Sequence, residues 1–206
     1  MVTNLLTGIN RGRDYYLAID GGTYTVGLCL FEIDPITNEM MVLNTHLINI
    51  RTPDHSYDYL EERHGFEAVR MIRLKKELHE YFDFVFDVYG GLTLVIYESH
   101  FFNVRRPTAA VPLVKFMQVT EETCIDYGVM MATVSPQQMK RTIGIDKALA
   151  KADKDCVKTK IQELIDNHAI LYGGDLSDIS EHEIDAMGIG YTQMRLDNLL
   201  SERRKS

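Results

Sequence analysis

Residues 15–33, YYLAIDGGTYTVGLCLFEI, decide the reading of this chain. An apolar run over 16–20 ends on one carboxylate, Asp20, and Gly21-Gly22 follows at once. A second run over 26–33 is rich in Val, Leu and Phe, and a third over 40–50 closes the group. Residues of this kind, bounded by turn chemistry, read as strands. Gly21-Gly22 supplies the first turn and Asp34-Pro35 through Asn38 the second. Connections this short predict an antiparallel three-strand meander with Asp20 at a strand end.

Outward from this meander the pattern changes. Residues 51–58 are a polar loop, and 59–87 carry apolar side chains near helical spacing up to Tyr89-Gly90-Gly91. Residues 92–98, LTLVIYE, are almost wholly apolar, as expected of a strand covered on both faces, and end on Glu98. A helix over about 107–126, with Pro112 inside it, precedes Gly128 and a short strand over 129–134. Ser135-Pro136 is a helix start that Gly144 interrupts, and another helix begins at 153 or 155 and reaches 168. After the loop 172–178, Ser180 and Glu183 form the capping box of a last helix over 181–194. A meander followed by alternating helices and strands predicts one α/β domain, a mixed five-stranded sheet with helices on both faces, over 15–195. Residues 1–14 read as a loosely ordered leader and 196–206 as a charged tail.

Composition narrows the function classes. The chain has 206 residues, 45% hydrophobic and 25% charged, in the range of a globular domain with a full core. No apolar stretch is long enough to span a bilayer and no secretory signal is present, so no membrane partner and a cytoplasmic location are expected. Cys29, Cys124 and Cys156 have no paired spacing, which argues for reduced thiols over a disulfide or zinc framework. The net charge of −8 disfavours loose, non-specific DNA binding. Against that balance, residues 140–160 hold seven lysines and arginines and three aspartates.

The carboxylates carry the chemistry. Asp20 and Glu98 are both expected at strand carboxyl ends, where α/β sheets open their crevice. SEHEIDAMGIGY (180–191) places His182 and Asp185 three residues apart, on one helical face, with Glu181 as a rival for that position. Neighbouring carboxylates repel unless a cation lies between them, and oxygen-rich sets favour Mg2+ or Mn2+. Two such ions about 3.5–4 Å apart can activate water and stabilise the leaving oxygen of a phosphodiester. Asp20, Glu98, His182 and Asp185 are therefore the candidate metal ligands.

Taken together, these segments resemble the RuvC-type Holliday-junction resolvases of the ribonuclease H-like superfamily over roughly residues 15–195. The resemblance lies in LAIDGGTYTVG with Asp20, in VIYESHF with Glu98, in VSPQQMKRTIGIDKALAKADKDCVKTKI and in HEIDAMGIGY with His182 and Asp185. It implies a homodimeric, two-metal endonuclease acting on branched DNA. It also implies that Phe101, three residues after Glu98, wedges at the junction and that the helix over 107–126 makes the dimer. Lys140 matches the first functional lysine, and the second is Lys151 by spacing or Lys154 by its Asp-Lys context. Phe102, Arg105 and Arg106 beside Phe101, with Arg141, Lys147 and Lys158, complete the expected DNA-binding set. The chain departs from the family pattern at Gly21-Gly22, where Pro-Gly is usual, and in a longer, more acidic 51–87 segment. Such a substitution pattern is that of a viral or divergent branch.

Two other readings compete. DGGTYTVG also resembles the phosphate turn of sugar-kinase or actin-like ATP-binding proteins, which need a second such domain in roughly twice this length. A catalytically inactive branched-DNA-binding module of the same fold is the other, although a phosphate-binding surface gains nothing from buried, unpaired carboxylates.

Overall fold

The computed structural model describes residues 13–22, 24–34, 36–51, 55–99, 107–146 and 155–200. Strands β1 (Tyr15–Gly21), β2 (Thr25–Ile33) and β3 (Met40–Asn49) form the expected meander. Asp34 closes the second turn by accepting from the Ile36 and Thr37 amides at 2.7 and 2.9 Å. β4 (Leu94–Glu98) lies parallel to β1, and β5 (Met130–Val134) parallel to β4. A sixth strand, β6 (Ile170–Leu171), adds to the five expected and pairs with the start of β3, giving the order β5-β4-β1-β2-β3-β6. Two residues are too short for a periodicity signal, and β6 is a strand only because β3 offers it an edge.

The helix expected over 59–87 is two helices, α1 (Asp58–His64) and α2 (Phe66–Tyr89). Gly65, at φ 81° and ψ 159°, breaks the path between them. Its backbone cannot continue a helix, whereas the apolar spacing on either side can. The remaining helices are α3 (Pro107–Tyr127), α4 (Pro136–Thr142), α5 (Cys156–Asp166) and α6 (Glu181–Leu196).

Strand alternation sorts the core into two layers. Leu17, Ile19, Leu28, Leu30, Val95 and Tyr97 face α2 and α3, where Leu74, Leu78, Phe82 and Phe116 meet them. Tyr16, Ala18, Cys29, Phe31 and Ile96 face the opposite way, against Met139, Ile161, Met187 and Ile189 of α4, α5 and α6. Asp20 and Glu98 continue the parity of Ala18 and Ile96, so both belong to the α6 face. The three cysteines are buried and free. No helix among the described residues is long and apolar enough to cross a membrane.

Helix α6 lies unusually close to the meander. A Cβ on Gly27 would stand 2.2 Å from the His182 carbonyl carbon and oxygen, and one on Gly190 would stand 2.6 Å from Phe31 Cε1. Only hydrogen fits at Gly27, because the obstacle is helix backbone and cannot rotate away. Gly27→Ala should therefore lift the start of α6, with a loss of stability of about 1–3 kcal/mol or more in urea melts. An unchanged midpoint would rule out this contact as a constraint.

Candidate active site

The site forms where three elements end together. In the β1–β4 pairing Ile19 stands opposite Tyr97, so the next residues, Asp20 and Glu98, finish adjacent parallel strands. In the β4–β5 pairing Glu98 stands opposite Val134, and Ser135 starts α4 immediately. Ser135 and Gln138 cap one another reciprocally, which fixes the helix that carries Lys140 and Arg141. On the other side Ser180 and Glu183 form the same box at the start of α6. Glu183 is thus consumed as a cap, and His182 and Asp185 face the sheet from the first turn.

Asp20 is buried, and its Oδ2 lies 2.5 Å from His182 Nδ1. This contact raises the His182 pKa, the hydrogen bond to Asp20 being the largest cause and burial opposing it. Burial first, then the charges of Asp20 and Asp185, push Glu98 up to about 7, against the relief given by Lys140 and His182. Asp185 is pushed up to about 7 by burial and by Asp20, again with His182 and Lys140 opposing. Five side chains from four elements therefore share one electrostatic environment.

Beside them lies a cavity of about 450 Å³ lined by Glu98, Lys140, Lys158, Glu181 and Asp185, with Met139 and Ile184 among its apolar walls. Among the described residues no three histidine, cysteine, aspartate or glutamate side chains stand grouped as a metal site. The donor set nonetheless suits a hard divalent cation. Two carboxyls held near neutrality by burial and by each other's charge are the groups such an ion would stabilise. Asp20, whose Oδ2 faces His182, is the third carboxylate of the set.

The sequence expectations fall into three groups. Asp20, Glu98, His182, Asp185 and Lys140 are brought together, and Lys158 lies on the same cavity. Arg141 is exposed on α4 and does not line that cavity. Phe101, Phe102, Arg105, Arg106, Lys147, Lys151 and Lys154 lie outside the described residues. Sequence reasoning left open how Asp20 and His182 would meet. The signal for it was Gly22, whose missing Cβ leaves room for the imidazole: a Cβ there would stand 2.7 Å from His182 Cε1. The Gly22 amide itself donates to the Thr25 carbonyl at 2.8 Å, within the turn.

The fold is shared with three solved resolvases. One is Thermus thermophilus RuvC in complex with a Holliday junction substrate, at a TM-score of 0.60 and 14% identity, covering 90% of this chain and 96% of that one. The yeast mitochondrial Holliday junction resolvase Ydc2 gives 0.62 and 15%, covering 93% and 82%. The fowlpox virus Holliday junction resolvase gives 0.53 and 12%, covering 88% and 98%. No protein-family model and no curated protein matches the sequence. The ribonuclease H-like α/β fold expected from the sequence is thus the fold observed.

The coupled carboxyls make stability depend on pH. Glu98 and Asp185 bind protons more tightly folded than unfolded, so their contribution is complete below about pH 4 and lost as pH rises through about 7. His182, raised as well, acts with the same sign. Without metal, Tm should fall by at least about 4 °C between pH 5 and 8. Mg2+ should restore more of it at pH 8 than at pH 5. The slope should flatten in the doubly substituted Glu98→Gln, Asp185→Asn protein, and a flat wild-type profile would contradict the site's electrostatics.

Proposed function

We propose that this chain is a metal-dependent, structure-selective DNA endonuclease that resolves four-way or other branched junctions by paired phosphodiester hydrolysis. The observation that carries the reading is the convergence of Asp20, Glu98, Asp185, His182 and Lys140 at one sheet end, beneath α6. The fold supports it, since the solved proteins that share it include a resolvase bound to a Holliday junction substrate.

Asp20, Glu98 and Asp185 are the residues that would hold two Mg2+ ions, or Mn2+ in their place. Such ions would supply water activation and charge neutralisation at the leaving oxygen. His182 keeps Nδ1 on Asp20, so Nε2 is the nitrogen left to complete the ligand set or take the water's proton. Lys140 reaches the same charges from α4 and holds the scissile phosphate, with Lys151 or Lys154 as its second. Lys158 and Arg141, with Lys147, Arg105 and Arg106, hold flanking phosphates, and Phe101 and Phe102 contact bases at the exchange point.

Paired incision calls for two copies related by a two-fold axis. The helix α3 fits that role. Val111, Gln118, Val114 and Ile125 share one of its faces, and the three apolar residues are 54%, 60% and 70% exposed. The ATP-binding alternative finds less support. Its turn would need the Gly22 amide for phosphate, and that amide is bonded to Thr25 and covered by His182.

The test is cleavage of a labelled synthetic four-way junction beside linear duplex, with Mg2+ and with chelator. Symmetric, metal-dependent nicks on the junction alone are expected. Asp20→Asn should abolish cleavage and leave junction binding intact. Lys140→Ala should lower the single-turnover rate by about 10²–10³. Absence of cleavage on every branched and linear substrate, with measurable ATP binding, would overturn the reading.

A further inference from the structure

Tyr24 follows the β1–β2 turn, two residues beyond the glycine that packs against His182. Its carbonyl accepts from the Ile50 amide at 3.0 Å, which pins the turn to the end of β3. The residue is 42% exposed, on the same sheet end as the acidic site. One guanidinium backs it: Arg70 Cζ lies 4.4 Å from the ring centroid, and Arg70 is only 3% exposed. Arg70 is held in turn by Glu67 at 2.8 Å and lies 5.7 Å from the Phe66 ring, at the start of α2. Arg51, an exposed cation, stands 5.9 Å from the Tyr24 centroid, at the outer limit of cation–π contact.

A buried arginine is costly, and its Nε has no hydrogen-bond partner among the described residues. What it gains is a cation–π contact under a tyrosine that stays open to solvent. Packing alone does not require that arrangement, because an aliphatic side chain would fill the space without an unsatisfied donor. A fixed, solvent-facing aromatic ring beside a phosphodiester-cleaving site is instead a surface for another π-face.

We infer that Tyr24 is a stacking platform for an unpaired nucleobase of the substrate strand. Arg70 is its positioning residue, and Arg51 takes a phosphate of the same nucleotide. The inference rests on the nuclease reading and adds to it a base contact on the meander side of the site, opposite α4 and Lys140. The ligand is a base freed from its pair, as at a junction's exchange point, because a stacked and paired base cannot offer a whole face.

The test uses the full chain, chelator to prevent cleavage, and a four-way junction carrying 2-aminopurine at the exchange point. Wild type should quench the probe's emission on binding. Tyr24→Ala should bind roughly tenfold more weakly and lose the quenching while the protein stays folded. Tyr24→Phe and Tyr24→Trp should retain both, and Arg70→Lys, which keeps charge and loses the planar guanidinium, should reduce the quenching. Wild-type affinity and quenching in Tyr24→Ala would overturn the assignment, as would weakened binding with the quenching intact. If those results come from a protein that still cleaves junctions, the stacking assignment alone fails. If wild type binds no branched DNA, the nuclease reading fails and this inference with it.

Discussion

The approach of α6 to the first two strands is the constraint on which the rest depends. It exists because Gly27 and Gly190 present hydrogen where any other residue would present carbon. Two consequences follow together. The helix covers the sheet tightly enough to bury Met187, Ile189 and Met194 completely, and its first turn carries His182 and Asp185 down to the level of Asp20. The same contact therefore closes one core layer and assembles the site, and neither can be loosened without the other.

A site built this way stores electrostatic tension. Asp20, Glu98 and Asp185 are carried by rigid elements into partial burial, where their charges oppose one another. His182 and Lys140 offset part of that opposition, and both come from helices whose starts are fixed by reciprocal caps. The overall charge of −8 is thus a poor guide to the face that matters. On that face, acids are concentrated at the centre and Lys140 and Lys158 stand beside them. A polyanion would be steered by the lysines and would meet the acids only with cations between.

Most of this was legible in the sequence, and the exceptions have physical causes. The ends of two apolar runs made Asp20 and Glu98 readable as strand ends, and S-x-x-E made the start of α6 readable to the residue. These signals are local. The break at Gly65 was missed because apolar spacing continues across it and a single backbone angle decides it. β6 was missed because two residues carry no period. The Asp20–His182 pair and the Tyr24–Arg70 stack join positions far apart in sequence, and no residue in either announces its partner.

The capping box at Ser180 and Glu183 has a bearing on how this chain can vary in length. It fixes the angular phase of α6 at its first residue, and the site lies within the next turn. One residue inserted between Ser180 and His182 would turn the histidine and Asp185 by about 100° away from the sheet, even with the helix intact. One residue inserted at 172–178, before the cap, would be absorbed by a loop. Length drift is therefore open to one side of Ser180 and closed on the other, and a boundary of that kind separates what the domain can lose from what it must count.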